Sequence, residues 1–96
     1  MTEGEYQASL KKRIEERIPG ALVIKNDPTY VQGIPDLLIL KGKRWAALEV
    51  KISGKASHRP NQRYYVDKMN DWSFAAFIFP ENEEEVISEL ERAFSN

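Results

Sequence analysis

The sequence contains no cysteine and a single histidine among its 96 residues. The lack of cysteine excludes a disulfide framework and a thiolate metal site, and it is typical of a reducing intracellular compartment. No apolar run has the length of a signal-peptide core or of a membrane span. We therefore expect a soluble, cytoplasmic protein that forms one small domain over residues 1–96, whose modest core favours oligomerisation.

The sequence also has little net charge, but its charges are unevenly distributed. The net charge is −1, and from Glu81 onward six glutamates accompany one arginine. Between residues 41 and 63, Glu49 is the only acid among seven basic residues: Lys41, Lys43, Arg44, Lys51, Lys55, Arg59 and Arg63. This asymmetry predicts a basic surface that could bind phosphates, and two ordinary solvated faces are the alternative.

Hydrophobic periodicity predicts three helices. Apolar residues recur at every fourth position over residues 3–18, and the Pro-Gly pair at 19–20 ends that helix. A second helix is expected from about Pro60, with Ser57 as its candidate N-cap. A closing helix follows Asn82, whose spacing from Glu85 resembles a capping box, and its glutamates predict a solvated face.

Four short apolar runs predict strands, at residues 21–25, 36–41, 44–51 and 73–79. The predicted order is helix, strand, strand, strand, helix, strand, helix. Strands interleaved with helices indicate an α/β fold with a central mixed sheet of about four strands, to which a hairpin over residues 36–51 contributes the antiparallel part.

The hairpin turn fixes which residues of its two strands face each other. If Gly42 and Lys43 form a two-residue loop with glycine first, opposed residues have numbers that sum to 85. Asp36 then lies across from Glu49, and Lys51 shares their face because it follows Glu49 by two residues. An odd-numbered loop or a bulge would separate the three side chains.

Two opposed carboxylates repel each other, so the arrangement calls for a chemical explanation. One carboxyl could hold a proton, as in acid/base pairs, or a hard divalent cation such as Mg²⁺ or Mn²⁺ could lie between them. The neighbouring Lys51 favours the cation, because hydrolysis of a phosphodiester needs a bound water and a positive charge near the phosphorane. A cross-strand salt-bridge cluster and a glycosidase-like carboxylate pair are the alternatives.

The sequence resembles a known family at these positions. The "PD" at 35–36 and the "EVK" at 49–51, separated by a short hairpin, match the PD-(D/E)XK nuclease signature, and "GIPDLLIL...ALEVK" is most similar to its VRR-NUC branch. That branch includes small stand-alone phage proteins, so the resemblance implies a bacterial or phage-infected host cell. It spans roughly residues 3–80 and implies a restriction-endonuclease-like core.

The resemblance also implies a catalytic centre for metal-dependent cleavage of DNA. Asp36, Glu49 and the Val50 carbonyl would hold Mg²⁺ or Mn²⁺, Lys51 would position or activate the attacking water, and Gln62 would lie beside the centre. A glutamate of the first helix is a further ligand in many members. Glu5 is the predicted one here, with Glu3, Glu15 and Glu16 as alternatives.

Further residues are expected to contact DNA, mainly through its backbone. They are Gly33, Lys43, Lys55, His58, Arg59 and Arg63. Tyr30, Tyr64 and Trp72 could stack on bases or pack in the protein. We expect a homodimeric endonuclease that leaves a 5′-phosphate and recognises branched DNA such as a Holliday junction, since no recognition helix is evident. A non-catalytic nucleic-acid-binding module and a partner-dependent nuclease subunit are the alternatives.

Overall fold

The computed structural model describes residues 1–95 and contains three helices and four strands in the predicted order. The helices are α1 (Glu3–Arg17), α2 (Pro60–Trp72) and α3 (Glu83–Phe94). The strands are β1 (Leu22–Lys25), β2 (Leu37–Lys41), β3 (Arg44–Val50) and β4 (Phe74–Ile78). No helix in this part of the chain is long and apolar enough to cross a membrane.

The four strands form one mixed sheet in the order β1-β2-β3-β4. The first three strands are antiparallel, whereas β4 runs parallel to β3. Opposed residues of β2 and β3 run from Lys41↔Arg44 to Leu37↔Leu48, so the predicted register is confirmed. Gly42 has φ of +61°, the left-handed conformation that a hairpin turn with glycine at its first central position requires.

Helices cover both faces of the sheet, but unequally. The main core lies between the sheet and helices α1 and α3, and it includes the predicted α1 stripe Tyr6, Leu10, Ile14 and Ile18. A smaller cluster joins α2 to β3 and β4 on the other face, centred on Ala47, Val66 and Ala75. Because α2 covers only these two strands, the same face of β1 and β2 is left partly open, with Leu22 and Ile24 exposed.

The predicted N-cap of α2 is wrong, whereas that of α3 is the predicted residue without the expected capping hydrogen bond. Arg59, not Ser57, is the N-cap of α2, because Pro60 occupies the first helical turn. Asn82 is the N-cap of α3, but its side chain makes no cap hydrogen bond. It bonds instead to the end of β4, accepting from Phe79 N at 2.9 Å and donating to Phe77 O at 3.0 Å.

The sequence predicts a solvated face for the glutamates of α3, but three of them contact α1. Glu83 accepts hydrogen bonds from Tyr6 Oη at 2.9 Å and Arg13 Nε at 2.6 Å. Glu84 and Glu91 both pair with Arg17. Three acids of α3 therefore tie it to α1.

Candidate active site

A cleft of about 700 Å³ opens where β3 ends and α2 begins. The carboxyl end of β3, the loop before β2 and the first turn of α2 all contribute to its walls. Its lining residues are Glu3, Pro28, Thr29, Gln32, Gly33, Ile34, Asp36, Glu49, Lys51, Ser57, Arg59, Asn61 and Gln62. The residues predicted as catalytic from the sequence all lie in this one cleft.

Asp36 lies immediately before β2, at the point where pairing with β3 stops. One of its carboxylate oxygens, Oδ2, accepts a hydrogen bond from the Val50 N–H at 2.8 Å. Its backbone carbonyl accepts from Asn26 N at 2.8 Å, which extends the pairing with β1 by one position. The backbone of Asp36 is therefore held by β1, while its carboxylate takes the place of a backbone acceptor for the last residue of β3.

Glu49 is a buried acid, with only 2% of its surface exposed. Burial, the largest cause, and the negative charge of Asp36 together raise the pKa of this carboxyl to about 8, although the positive charge of Lys51 opposes the shift. A hydrogen bond with Asp36 and the charge of Glu3 add to the increase. Without a cation, Glu49 thus retains a proton near neutral pH, because a second negative charge beside Asp36 is unfavourable in this desolvated position.

Gln62 connects Glu49 to Lys51. Its Nε2 donates to Glu49 Oε2 at 3.0 Å, and its Oε1 accepts from Lys51 Nζ at 3.0 Å and from Arg59 N at 2.9 Å. Lys51 Nζ is also 3.8 Å from Glu49 Oε2. The hydrogen bond from the Arg59 N–H fixes the orientation of the Gln62 side-chain amide. Gln62 therefore holds Glu49 and Lys51 in position beside the first turn of α2.

The Val50 carbonyl faces the same side of the strand as its N–H group, since both groups of one strand residue point in one direction. That N–H donates to Asp36, so the carbonyl also points toward the Asp36 side, beyond the last paired residue of β2. Two carboxylates and one carbonyl thus converge at this end of the sheet. Within residues 1–95, no cluster of three or more histidine, cysteine or acidic side chains could hold a metal ion.

The structure places the predicted first-helix ligand, Glu5, away from the cleft. Glu5 Oε1 accepts from Thr2 N at 2.7 Å, and Glu5 N donates to Thr2 Oγ1 at 3.1 Å, which together form the capping box of α1. Hydrogen bonding to the backbone and then to the side chain of Thr2 lowers the pKa of the Glu5 carboxyl. Glu3 is the first-helix glutamate that lines the cleft, so the choice of Glu5 is not supported by the geometry.

Gly33 lines the cleft and is required there by the fold. Its φ is +90°, and a Cβ atom at this position would lie 2.7 Å from Asn61 Cγ and 2.9 Å from the Asn61 backbone carbon. Asn61 Nδ2 also donates to Gln32 O at 3.2 Å. Gly33 therefore allows the loop before β2 to pack directly on the start of α2, whether or not a phosphate approaches it.

The other residues expected to contact DNA are divided between the cleft and its surroundings. Arg59 lines the cleft. His58 and Arg63 lie beside the Phe77 ring, with a ring-centre distance of 4.7 Å for His58 and a guanidinium distance of 5.7 Å for Arg63. Lys55 is exposed in the loop between β3 and α2.

Lys43 lies at the hairpin turn, at the opposite end of β3 from Glu49, and so is not part of the cleft. Strand β3 has seven residues, so its two ends lie roughly 20 Å apart. Lys43 instead borders a shallow groove with Trp45, Met69 and Trp72.

Asn61 is not predicted from the sequence, and Glu3, which lines the cleft, is only an alternative to Glu5 there. The Thr2-x-x-Glu5 spacing is a capping-box signature, and this signal could have assigned Glu5 to the helix start. No local pattern identifies Asn61, because its role depends on contact with a loop about thirty residues earlier in the chain.

Two solved structures resemble the fold. One, described as a VRR_NUC domain protein, superposes with a TM-score of 0.70 at 17% sequence identity, covering 98% of this chain and 88% of that chain. A second, described as a VRR_NUC domain, gives a TM-score of 0.68 at 24% identity, covering 96% of each chain. No protein-family model and no curated protein matches the sequence. The chain therefore has the fold of VRR_NUC domains, a mixed four-stranded sheet flanked by three helices, as its sequence motifs predict.

Proposed function

We propose that this protein is a metal-dependent endonuclease that hydrolyses phosphodiester bonds in DNA. The observation that carries this proposal is the juxtaposition of Asp36, Glu49, Lys51 and Gln62 at the end of β3, in an open cleft. The likeness to VRR_NUC domains agrees with it. A salt-bridge cluster with no chemical role does not explain a glutamate whose pKa is raised to about 8, because a structural pair normally keeps its acid ionised.

The donor set fits Mg²⁺ or Mn²⁺. Asp36, Glu49 and the Val50 carbonyl supply only oxygen, and these hard cations bind through one or two carboxylates while keeping several waters. A divalent cation would also reverse the unfavourable interaction between the two carboxylates. When bound, the metal would supply a polarised phosphate and a more acidic water molecule.

Lys51 and Gln62 supply the remaining functions. The Lys51 ammonium is oriented by Gln62 Oε1 and borders the cleft, so it can position the attacking water and offset the negative charge that develops on the phosphate. Gln62 Nε2 holds Glu49 in its ligand orientation. Attack at phosphorus breaks the bond to the 3′ oxygen and leaves a 5′-phosphate on the product.

We further propose that the enzyme recognises DNA structure, such as a Holliday junction or another branch, and acts as a homodimer. A chain of 96 residues has little surface with which to grip a duplex, and a two-fold dimer presents two sites to the two strands of a junction. The unpaired edge strand β1, with Leu22 57% and Ile24 38% exposed, is a candidate contact between the copies. The cytoplasm of a bacterium or of a phage-infected cell is the compartment we propose.

The test is cleavage of end-labelled linear, flapped and four-way DNA in Mg²⁺, Mn²⁺ or chelator. We expect metal-dependent cutting by the wild type and a loss of at least about a hundredfold in Asp36→Asn and Lys51→Met. Lys12→Met, which removes an exposed cation of α1 outside the cleft, is the matched control for a lost charge. Binding without cutting on any substrate would identify a binding module, and activity only after a partner is added would identify a subunit. Robust cutting by Lys51→Met would refute the assigned site.

A further inference from the structure

Helix α2 carries an exposed stripe of two aromatic side chains with a lysine between them. Trp72 is 65% exposed and Tyr64 is 56% exposed, although large aromatic residues are normally buried. The Lys68 ammonium lies 5.4 Å from the centre of the Tyr64 ring and 5.3 Å from the Trp72 ring, and it donates to Tyr64 Oη at 3.1 Å. The spacing of four residues holds all three on one side of the helix.

This stripe begins at the cleft. Asn61 lines the cleft and precedes Lys68 by seven residues and Trp72 by eleven, which is the spacing of a single helical face. At the other end, Trp72 borders a groove of about 420 Å³ together with Lys43 and Arg44 of the hairpin. The stripe therefore forms a continuous surface from the proposed catalytic centre to the basic hairpin turn.

The charges along this surface suit a polyanion. Among residues 1–95, Lys43, Arg44 and Lys68 form no salt bridge, whereas Arg63 on the next face of α2 pairs with Asp67 at 3.5 Å. Placing a second copy on the same surface would bring these like charges together. Exposed aromatic rings alternating with unpaired cations are the arrangement with which proteins bind single strands, since bases stack on the rings and phosphates meet the cations.

We propose that the Tyr64–Lys68–Trp72 stripe, continued by Lys43 and Arg44, binds an unpaired single strand of the DNA substrate. This inference rests on the proposed nuclease function, because it names the kind of DNA that the cleft would cut: a duplex with a single-stranded arm. From Tyr64 to Trp72 the helix rises about 12 Å. At the base spacing of a stacked strand, this length spans about three to four nucleotides. The stripe would give Lys43 a role in DNA binding, although Lys43 lies outside the cleft.

The test measures binding in chelator, so that cleavage does not contribute. Fluorescence anisotropy would follow a labelled oligothymidylate with the wild type, Trp72→Ala, Lys68→Gln and the control Lys12→Gln. Trp72→Ala should weaken binding by about 5- to 150-fold, the range for loss of one base–aromatic stack. Lys68→Gln should reduce the salt dependence, the slope of log K against log salt, by about 0.7. Lys12→Gln, which removes an exposed cation of α1 on the opposite side of the sheet from the stripe, should bind like the wild type.

The outcomes separate this proposal from its rivals. If Trp72→Ala retains the wild-type affinity, or if the wild type does not bind oligothymidylate, the proposed path is wrong. If Trp72→Ala instead changes the sedimentation coefficient with unchanged DNA affinity, the stripe joins protein copies and the proposal is overturned. Asp36→Asn should bind oligothymidylate normally while failing to cleave, so single-strand binding is judged independently of the nuclease site. A circular dichroism spectrum like that of the wild type would show that each variant is folded.

Discussion

Replacing Glu49 by glutamine should stabilise the metal-free protein at alkaline pH while it abolishes the proposed activity. The folded-state pKa of Glu49 is raised to about 8 from an ordinary value of 4.5. A raised acid pKa means that the folded state binds the proton more tightly, so stability is retained at low pH and is lost as pH rises. Each difference of one in pKa is worth about 1.4 kcal/mol, so the loss between pH 5 and pH 8 approaches about 4 kcal/mol.

That loss is large beside the total stability of a small domain, which is about 5–15 kcal/mol. It corresponds to a fall in Tm of about 15–30 °C between pH 5 and pH 8. The amide introduced by Glu49→Gln has no charge to desolvate, and it can still accept from Gln62 Nε2 and donate to Asp36. We therefore expect Glu49→Gln to match the wild type near pH 5 and to exceed its stability at pH 8.

The assay is thermal unfolding, followed by circular dichroism in chelator, at intervals from pH 5 to pH 8. Histidine is the side chain that ordinarily changes charge in this range, and the sequence has only His58. His58→Gln is thus the matched control and should keep the wild-type dependence on pH. If the wild type and Glu49→Gln lose stability in parallel, the repulsion between Glu49 and Asp36 is not the cause, and the reasoning about the carboxylate pair is wrong.

Three further changes have defined outcomes. Mg²⁺ at pH 8 should raise the Tm of the wild type, because ligand at a hundredfold excess over Kd stabilises the folded state by about 2.7 kcal/mol. The Tm of Asp36→Asn should not change, and equal increases in both proteins would refute the metal assignment. Gln62→Met should lower kcat about 10- to 100-fold with little change in KM, measured as initial rates of DNA cleavage, and unaltered kcat would remove its positioning role. Gly33→Ala should lower the free energy of unfolding in urea by about 2–4 kcal/mol, because φ is +90° and the new Cβ would contact Asn61. The control Gly4→Ala, with open space around it, should raise that free energy by up to about 1 kcal/mol.

The hairpin could be derived from sequence because its two determinants are local. Strand side chains alternate with a period of two, and a two-residue turn fixes the register, so Gly42 was sufficient to bring Asp36 toward Glu49. The same turn places Lys43 at the opposite end of β3 from Glu49, so Lys43 lies outside the cleft.

The remaining features depend on contacts between distant parts of the chain. The roles of Gly33 and Asn61 arise only when the loop before β2 packs on α2, and neither residue has a local pattern that indicates this contact. The glutamates of α3 show the same limitation. Glu83 reads as a solvated residue in a helical pattern, and its hydrogen bond to Tyr6 becomes evident only once α1 and α3 lie side by side.

The Pro-Asp pair of the motif can be understood from the end of the strand ladder. Pro35 has no N–H group, and its carbonyl accepts from the Asn26 side chain at 2.8 Å, so backbone pairing with β3 ends at Leu37. The Val50 N–H would then be left without a backbone acceptor in a buried position, at a cost of about 1–3 kcal/mol. The Asp36 carboxylate satisfies it at 2.8 Å, so the residue that completes the sheet also aims its charge at the cleft. Asp36→Asn can retain that hydrogen bond whereas Asp36→Ala cannot, and for this reason only the asparagine variant separates the chemistry of the site from the stability of the fold.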